Sequence, residues 1–157
     1  MEPAVSDIER LIAINEIREV MARYARHADQ KDFEALARLF TSDGSFTTNQ
    51  VDGAVWMQMK GRDAIARTIA QSVGTAQVIH HLFSYQTEIL SPTSARSVVS
   101  MADMFIRPEG EALPSDAGLA FRTMEGYGHY HCDFVKVGEA WYIKTLVQTR
   151  LKMDFAK

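Results

Sequence analysis

Tyr24 and Asp29 lie five residues apart at the end of the first long amphipathic stretch, within IREVMARYARHADQKDFEALARLFTSDGSF (17–46). Three more ionisable residues fall on apolar strand-like segments: His81 in 77–90, Asp103 in 95–107 and Arg150 in 141–153. An ionisable group aimed at an apolar interior is costly unless it is paired or wet. A ligand cavity accounts for all three together. The chemistry available to such a set is acid–base. A carboxylate beside a neutral histidine fixes the imidazole tautomer and stabilises the cation formed when a proton is taken, which suits Asp29 with His81. A carboxyl kept partly protonated by an apolar wall, here Asp103, can act as an acid. A tyrosine hydroxyl such as Tyr24 polarises a carbonyl or assists a leaving oxygen, and Arg150 can hold an anion. Base, acid and oxyanion donor together suit proton abstraction next to a carbonyl followed by elimination, which needs no cofactor.

Each residue also has a plainer reading. A lone histidine on an apolar strand face is more often a hydrogen-bonded structural residue. Asp103 could pair with Arg96 or Arg107, Tyr24 is a good core residue with a polar tip, and Asp29 could cap the following segment. His81 is placed inward by alternation with Ile79, Phe83, Tyr85 and Ile89, which sends His80 to the opposite face with Val78 and Leu82. One bulge would reverse that assignment. His129 and His131 share a face with Tyr127 and Asp133. They read as an outward polar face, since a third clear metal ligand at suitable spacing is missing.

The elements that must position these residues follow from periodicity. Ser6-Asp7-Ile8-Glu9 is a capping box. Leu11, Ile14, Ile17, Met21, Tyr24 and Ala28 then form the apolar stripe of a five- to six-turn helix. Asp32 caps a second helix with Phe33, Leu36, Leu39 and Phe40 buried, ended by Asp43-Gly44. Short strands follow near 45–48 and 54–59, then a third helix over about 64–72. After Gly74 come four long β-branched or aromatic segments, 77–90, 95–107, 119–137 and 141–153. Three helices before a meander predict an α+β fold, with a strongly curved, mainly antiparallel sheet wrapped as a cone around the helices. Trp56, Met57, Met59, Phe83, Tyr85, Met101, Met104 and Phe105 are candidates to line its cavity, giving a hydrophobic cyclic or aromatic substrate.

A chain of 157 residues suits one domain, 1–157. Its net charge of −3, without a basic stripe, argues against nucleic acid. The single cysteine, Cys132, excludes an intrachain disulfide. No signal peptide or membrane-length apolar run is seen, so a cytoplasmic location is the expectation. Dinucleotide, Walker, nucleophile-elbow and HExxH motifs are missing, and neither a cofactor nor a metal is expected.

The helix ending RYARHADQKDFEALARLFTSDGSF, the strand VIHHLFSYQTEI and the hairpin GHYHCDFVKVGEAWYIK resemble the SnoaL-like, nuclear transport factor 2-like superfamily over nearly the whole chain. The resemblance implies an α+β cone with a deep pocket, often in dimers or trimers. Its members include dehydratases, dehydrochlorinases, cyclases, isomerases, hydrolases and non-catalytic binders. The layout looks closest to the bile-acid 7α-dehydratase type, whose helix Tyr and Asp, strand His and Asp, and Arg nine residues after the last-hairpin Trp fall on Tyr24, Asp29, His81, Asp103 and Arg150. Scytalone dehydratase and hexachlorocyclohexane dehydrochlorinase share the Asp and His. Thr48 stands where some dehydratases carry a tyrosine, and Tyr130 stands roughly at a pocket Asn; both join Trp56, Phe83, Tyr85, Met101 and Phe105 as substrate-contact candidates. The resemblance thus implies a cofactor-independent lyase, dehydratase-like, with a non-catalytic binder, an isomerase or an aldehyde-releasing carbon–carbon lyase as alternatives. The loop 108–118 is a candidate lid or oligomer contact.

Overall fold

The computed structural model describes residues 4–114 and 120–157, so the loop expectation for 108–118 falls partly outside the described residues. Among the described residues three helices, α1 (Asp7–Asp29), α2 (Phe33–Ala37) and α3 (Arg62–Val73), pack inside one six-stranded sheet. The strands are β1 (Phe40–Asn49), β2 (Val55–Lys60), β3 (Gln77–Ser91), β4 (Ser94–Ile106), β5 (Thr123–Val137) and β6 (Ala140–Ala156). They lie in the order β2-β1-β6-β5-β4-β3. Only β1 and β6 run parallel; the other neighbours are antiparallel. The α+β class and mixed, mainly antiparallel sheet match the expectation. The sheet is curved but unclosed. Its bend has visible causes: register shifts interrupt β3–β4 after Leu82 and β5–β6 at two places, and each bulge adds local twist.

Ser6 accepts from the Glu9 backbone N–H while the Glu9 carboxylate accepts from the Ser6 N–H, completing the capping box. The apolar stripe starts later than periodicity suggests. Ala13, Ile17, Val20, Met21, Tyr24 and Ala28 are buried, whereas Ile8 and Leu11 are exposed, because the sheet and hairpin cover the helix only from Ala13 onward. Trp141 Nε1 fixes that flank by donating to Glu16 Oε2 at 3.1 Å.

Asp32 caps α2 through the Ala35 N–H at 3.0 Å. The helix stops at Ala37 rather than at Asp43. Phe40 already pairs with Ile143 of β6, the Ile143 N–H donates to Leu39 O, and the Arg62 guanidinium grips Phe40 O with two hydrogen bonds. Tertiary pairing overrides the local helical pattern. The core beneath is closed by Ile17, Leu36, Phe40, Val99, Tyr130, Phe134, Ile143 and Leu146, all essentially inaccessible to solvent.

Candidate functional site

α1 packs on β3, which brings its last residue, Asp29, beside the inward face of that strand. The histidine it meets is His80, not His81. His80 Nδ1 lies 2.8 Å from Asp29 Oδ1. The His80 side chain is 10% exposed, and His81 faces outward beside the exposed Phe83 ring. The reason is a bulge. Leu82 pairs with Met101 and Tyr85 with Val99, so three β3 steps match two β4 steps. Val78, His80 and Leu82 face inward before the extra residue, and Tyr85, Thr87 and Ile89 after it. Counting back from Tyr85 and Ile89 in strict alternation therefore lands on the wrong histidine. The same shift removes Phe83 from the cavity; it is 67% exposed.

β4 carries no such interruption. Ala95, Ser97, Val99, Met101 and Asp103 alternate inward along it, and all are buried. Asp103 sits directly across from His80 on one side and Gly126 on the other. Its Oδ1 accepts from Arg150 Nη1 at 2.6 Å and its Oδ2 from Arg150 Nη2 at 2.8 Å. Both side chains are almost fully enclosed, 3% and 5% exposed. Burial works against the guanidinium charge, but the hydrogen bonds and charge of Asp103 more than offset it and hold the Arg150 pKa above its ordinary value. A carboxylate that accepts from both arms of a guanidinium is the ionised partner of a fork. The geometry thus assigns Asp103 to an ion pair rather than to the partly protonated acid the apolar wall suggested. Gln148 Nε2 approaches the same carboxylate at 3.5 Å.

Tyr24 is buried against three rings: Tyr130 at 5.4 Å, Phe46 at 6.3 Å and His80 at 6.4 Å between centroids, each edge-on. Burial pushes its pKa well above the ordinary tyrosine value. The hydroxyl is therefore a neutral hydrogen-bond donor across the physiological range. Tyr130, also fully buried, is raised for the same first reason.

These side chains converge on a cavity of about 90 Å³. Tyr24, His80, Asp103, Arg150, Tyr130, Gln148 and Thr48 supply most of its polar lining; Trp56, Phe105, Phe46, Met59, Val78 and Met124 supply apolar walls. Thr48 Oγ1 and Tyr130 Oη are buried there without a hydrogen-bond partner among the described residues. Such orphaned groups cost stability unless something else satisfies them. Of the remaining candidates, Met101 is buried under the ion pair, its Sδ 3.9 Å from Arg150 Nη1. Tyr85 packs on the core with the Arg18 guanidinium over its ring at 4.9 Å. Neither reaches the cavity surface. Asp29 stands behind His80 rather than on the wall. Arg107 and Phe121 are lining residues that sequence reasoning missed, and the bulge it named as able to exchange His81 for His80 is present. Gln148 was legible from its parity with Arg150. On the same strand the register shift opposite Asp133 and Phe134 lets Trp141 and Ile143 face inward.

The sequence model of the SnoaL-like domain matches residues 9–147. The chain belongs to the SnoaL-like family. Solved structures agree on the fold of this SnoaL-like protein. A putative scytalone dehydratase from Novosphingobium aromaticivorans superposes with a TM-score of 0.76 at 21% identity, over 97% of this chain and 93% of that one. A type 2 hexachlorocyclohexane dehydrochlorinase (LinA) gives 0.78 at 14% identity, over 97% and 94%. A nuclear transport factor 2-like protein with a cystatin-like fold, also from N. aromaticivorans, gives 0.68 at 22% identity, over 91% and 85%. A comparison with curated proteins finds no significant sequence match. Among the described residues of the SnoaL-like domain, no three His, Cys, Asp or Glu side chains gather as a metal site. His129 and His131 lie on the outer face, where His131 Nε2 pairs with Thr149 Oγ1 at 3.0 Å. No described helix is long and apolar enough to cross a membrane.

Proposed function

We propose that this SnoaL-like protein is a cofactor-independent lyase, dehydratase-like, in which His80 is the base. The observation that carries this reading is His80 on the cavity wall with Asp29 paired behind it. With Nδ1–H donated to the Asp29 carboxylate, the lone pair of Nε2 is left for substrate. His80 takes a proton from a carbon next to a carbonyl or on an oxygenated ring. The electron pair of that C–H bond becomes the new double bond as a hydroxyl departs. The imidazolium returns the proton to that hydroxyl, which leaves as water. Tyr24, neutral at physiological pH, donates to the oxygen on which charge develops, and the Arg150 guanidinium, oriented by Asp103, adds a fixed local dipole at the cavity wall.

The substrate fits the cavity by size and polarity. A dry cavity of about 150 Å³ in another protein admits benzene. The space of about 90 Å³ is smaller than that, so it suits the reacting end of a ring compound rather than an enclosed steroid. The unpartnered Thr48 and Tyr130 hydroxyls suit an oxygenated ring. The lyase names of the scytalone dehydratase and dehydrochlorinase neighbours point the same way.

The test is deuterium incorporation from D2O, and water loss, across a panel of cyclic ketones and hydroxylated aromatics. His80→Ala is expected to lower the rate by about 10²–10⁴-fold, the range for a lost general base. His81→Ala is expected to keep the wild-type rate. Equal rates in wild type and His80→Ala would sink the dyad. Ligand retention with no exchange by any variant would make the protein a binder.

A further inference from the structure

Asp103 and Arg150 form a bidentate pair although they are not on neighbouring strands. β5 runs between β4 and β6, so the two Cα atoms are separated by at least two strand spacings, roughly 9.5 Å. At an ordinary sheet position the inward side chain of the middle strand would stand in that gap. The inward residues of β5 at this level are Gly126 and Gly128, in the sequence Gly-Tyr-Gly. Neither has a left-handed backbone, so backbone freedom does not explain their presence. Glycine weakens a strand interior and marks the close approach of another group.

The approaching groups are identifiable. A Cβ on Gly126 would collide with Arg150 Nη1 and Asp103 Oδ1 and lie 3.0 Å from Arg150 Cζ. A Cβ on Gly128 would collide instead with the β6 backbone, at Thr149 O, and lie 3.1 Å from Arg150 Cα. Gly128 pairs with Arg150 and Tyr127 with Lys152. One β6 residue, Leu151, is thus extra, and its side chain is exposed. The two glycines act at different levels. Gly128 admits the close approach of β6 where it bulges beside Arg150. Gly126 leaves an empty lane across β5 in which the guanidinium reaches Asp103.

We propose that Gly126 is a positioning residue for the Asp103–Arg150 pair, and that Gly128 positions the strand that carries Arg150. The inference adds to the site proposed above what holds Arg150 in place; it stands on geometry alone, and its test needs no substrate, so it can fail while the lyase reading survives, and the reverse.

The experiment is a mutant cycle followed by thermal unfolding. The background variant is Asp103→Ala/Arg150→Met, since a buried ion pair exchanged for apolar groups often leaves a protein folded. Gly126→Ala in the wild-type protein is expected to lower the unfolding midpoint by on the order of 5 °C or more, the scale of an overpacked site. In the background variant the same change is expected to lower it by less than about a third of that, because the colliding atoms are gone. Gly128→Ala collides with backbone and is expected to lower the midpoint in both. If Gly126→Ala alone fails to fold, recovery of folding in the triple variant supports the proposal, and failure of the triple variant overturns it. Equal drops for Gly126→Ala in both backgrounds overturn it too. In ¹⁵N-edited spectra of folded Gly126→Ala, the exchange-protected Arg150 guanidinium signals are expected to be lost. Their persistence at wild-type positions overturns the proposal.

Discussion

Removing Arg150 alone is the most exacting perturbation of this site. Arg150→Met keeps most of the side-chain volume and deletes the guanidinium. It leaves the Asp103 carboxylate 3% exposed, with Gln148 Nε2 at 3.5 Å as the remaining donor among the described residues. Breaking a buried pair by removing one partner costs about 3–5 kcal/mol, because an uncompensated charge stays behind. For a domain of this size each kcal/mol moves the midpoint by roughly 2–4 °C. The expected drop is therefore about 6–20 °C. Asp103→Ala/Arg150→Met removes both charges and is expected to recover most of that loss. Equilibrium urea unfolding of the wild type, both single variants and the double variant measures the cycle. The reasoning is refuted if Arg150→Met costs under about 1 kcal/mol, the size of a solvent-exposed pair. It is equally refuted if the double variant is as unstable as the sum of the singles.

Three other expectations follow from the same geometry. Tyr130→Phe deletes a buried hydroxyl that has no partner among the described residues; it is expected to leave the melting midpoint unchanged or raise it slightly, while a KM measured on an active panel compound rises. Stability is expected to fall as pH rises past the ordinary values of 9.0 for Cys132 and 10.0 for Tyr24. Burial raises both groups in the folded state, so their contribution is complete below the unfolded values and is lost as the unfolded chain ionises, by about 1.4 kcal/mol per pH unit per group. Urea midpoints between pH 7 and 11 measure this, and Tyr24→Phe should flatten the alkaline slope. Ser6→Ala removes one half of the capping box and is expected to cost about 1 kcal/mol in the same unfolding assay; no loss would mean that the first turn frays without consequence, since Ile8 and Leu11 are exposed.

How much of the site was legible depended on whether a periodicity ran unbroken. Helical spacing placed Tyr24 and Asp29 at the end of α1, and the structure puts both there. Alternation placed Asp103 inward because β4 keeps its phase throughout. It failed on β3 because a single extra residue after Leu82 reverses the phase, and no local residue type announces that bulge. The expectation of His81 and Phe83 in the cavity fell with it. Arg150 is inward as expected, because the shift opposite Asp133 and Phe134 lies upstream of it in β6.

The sequence by itself determined the order of elements, the caps and the single curved sheet. Those depend on local periodicity and hydrophobic pattern, which act along the chain. The tertiary structure decided which histidine meets Asp29 and that Asp103 is the ionised half of a fork. It also decided that a glycine on β5 is the reason two non-adjacent strands can share an ion pair. Those depend on register and on empty space between strands, which are set only when the sheet has formed.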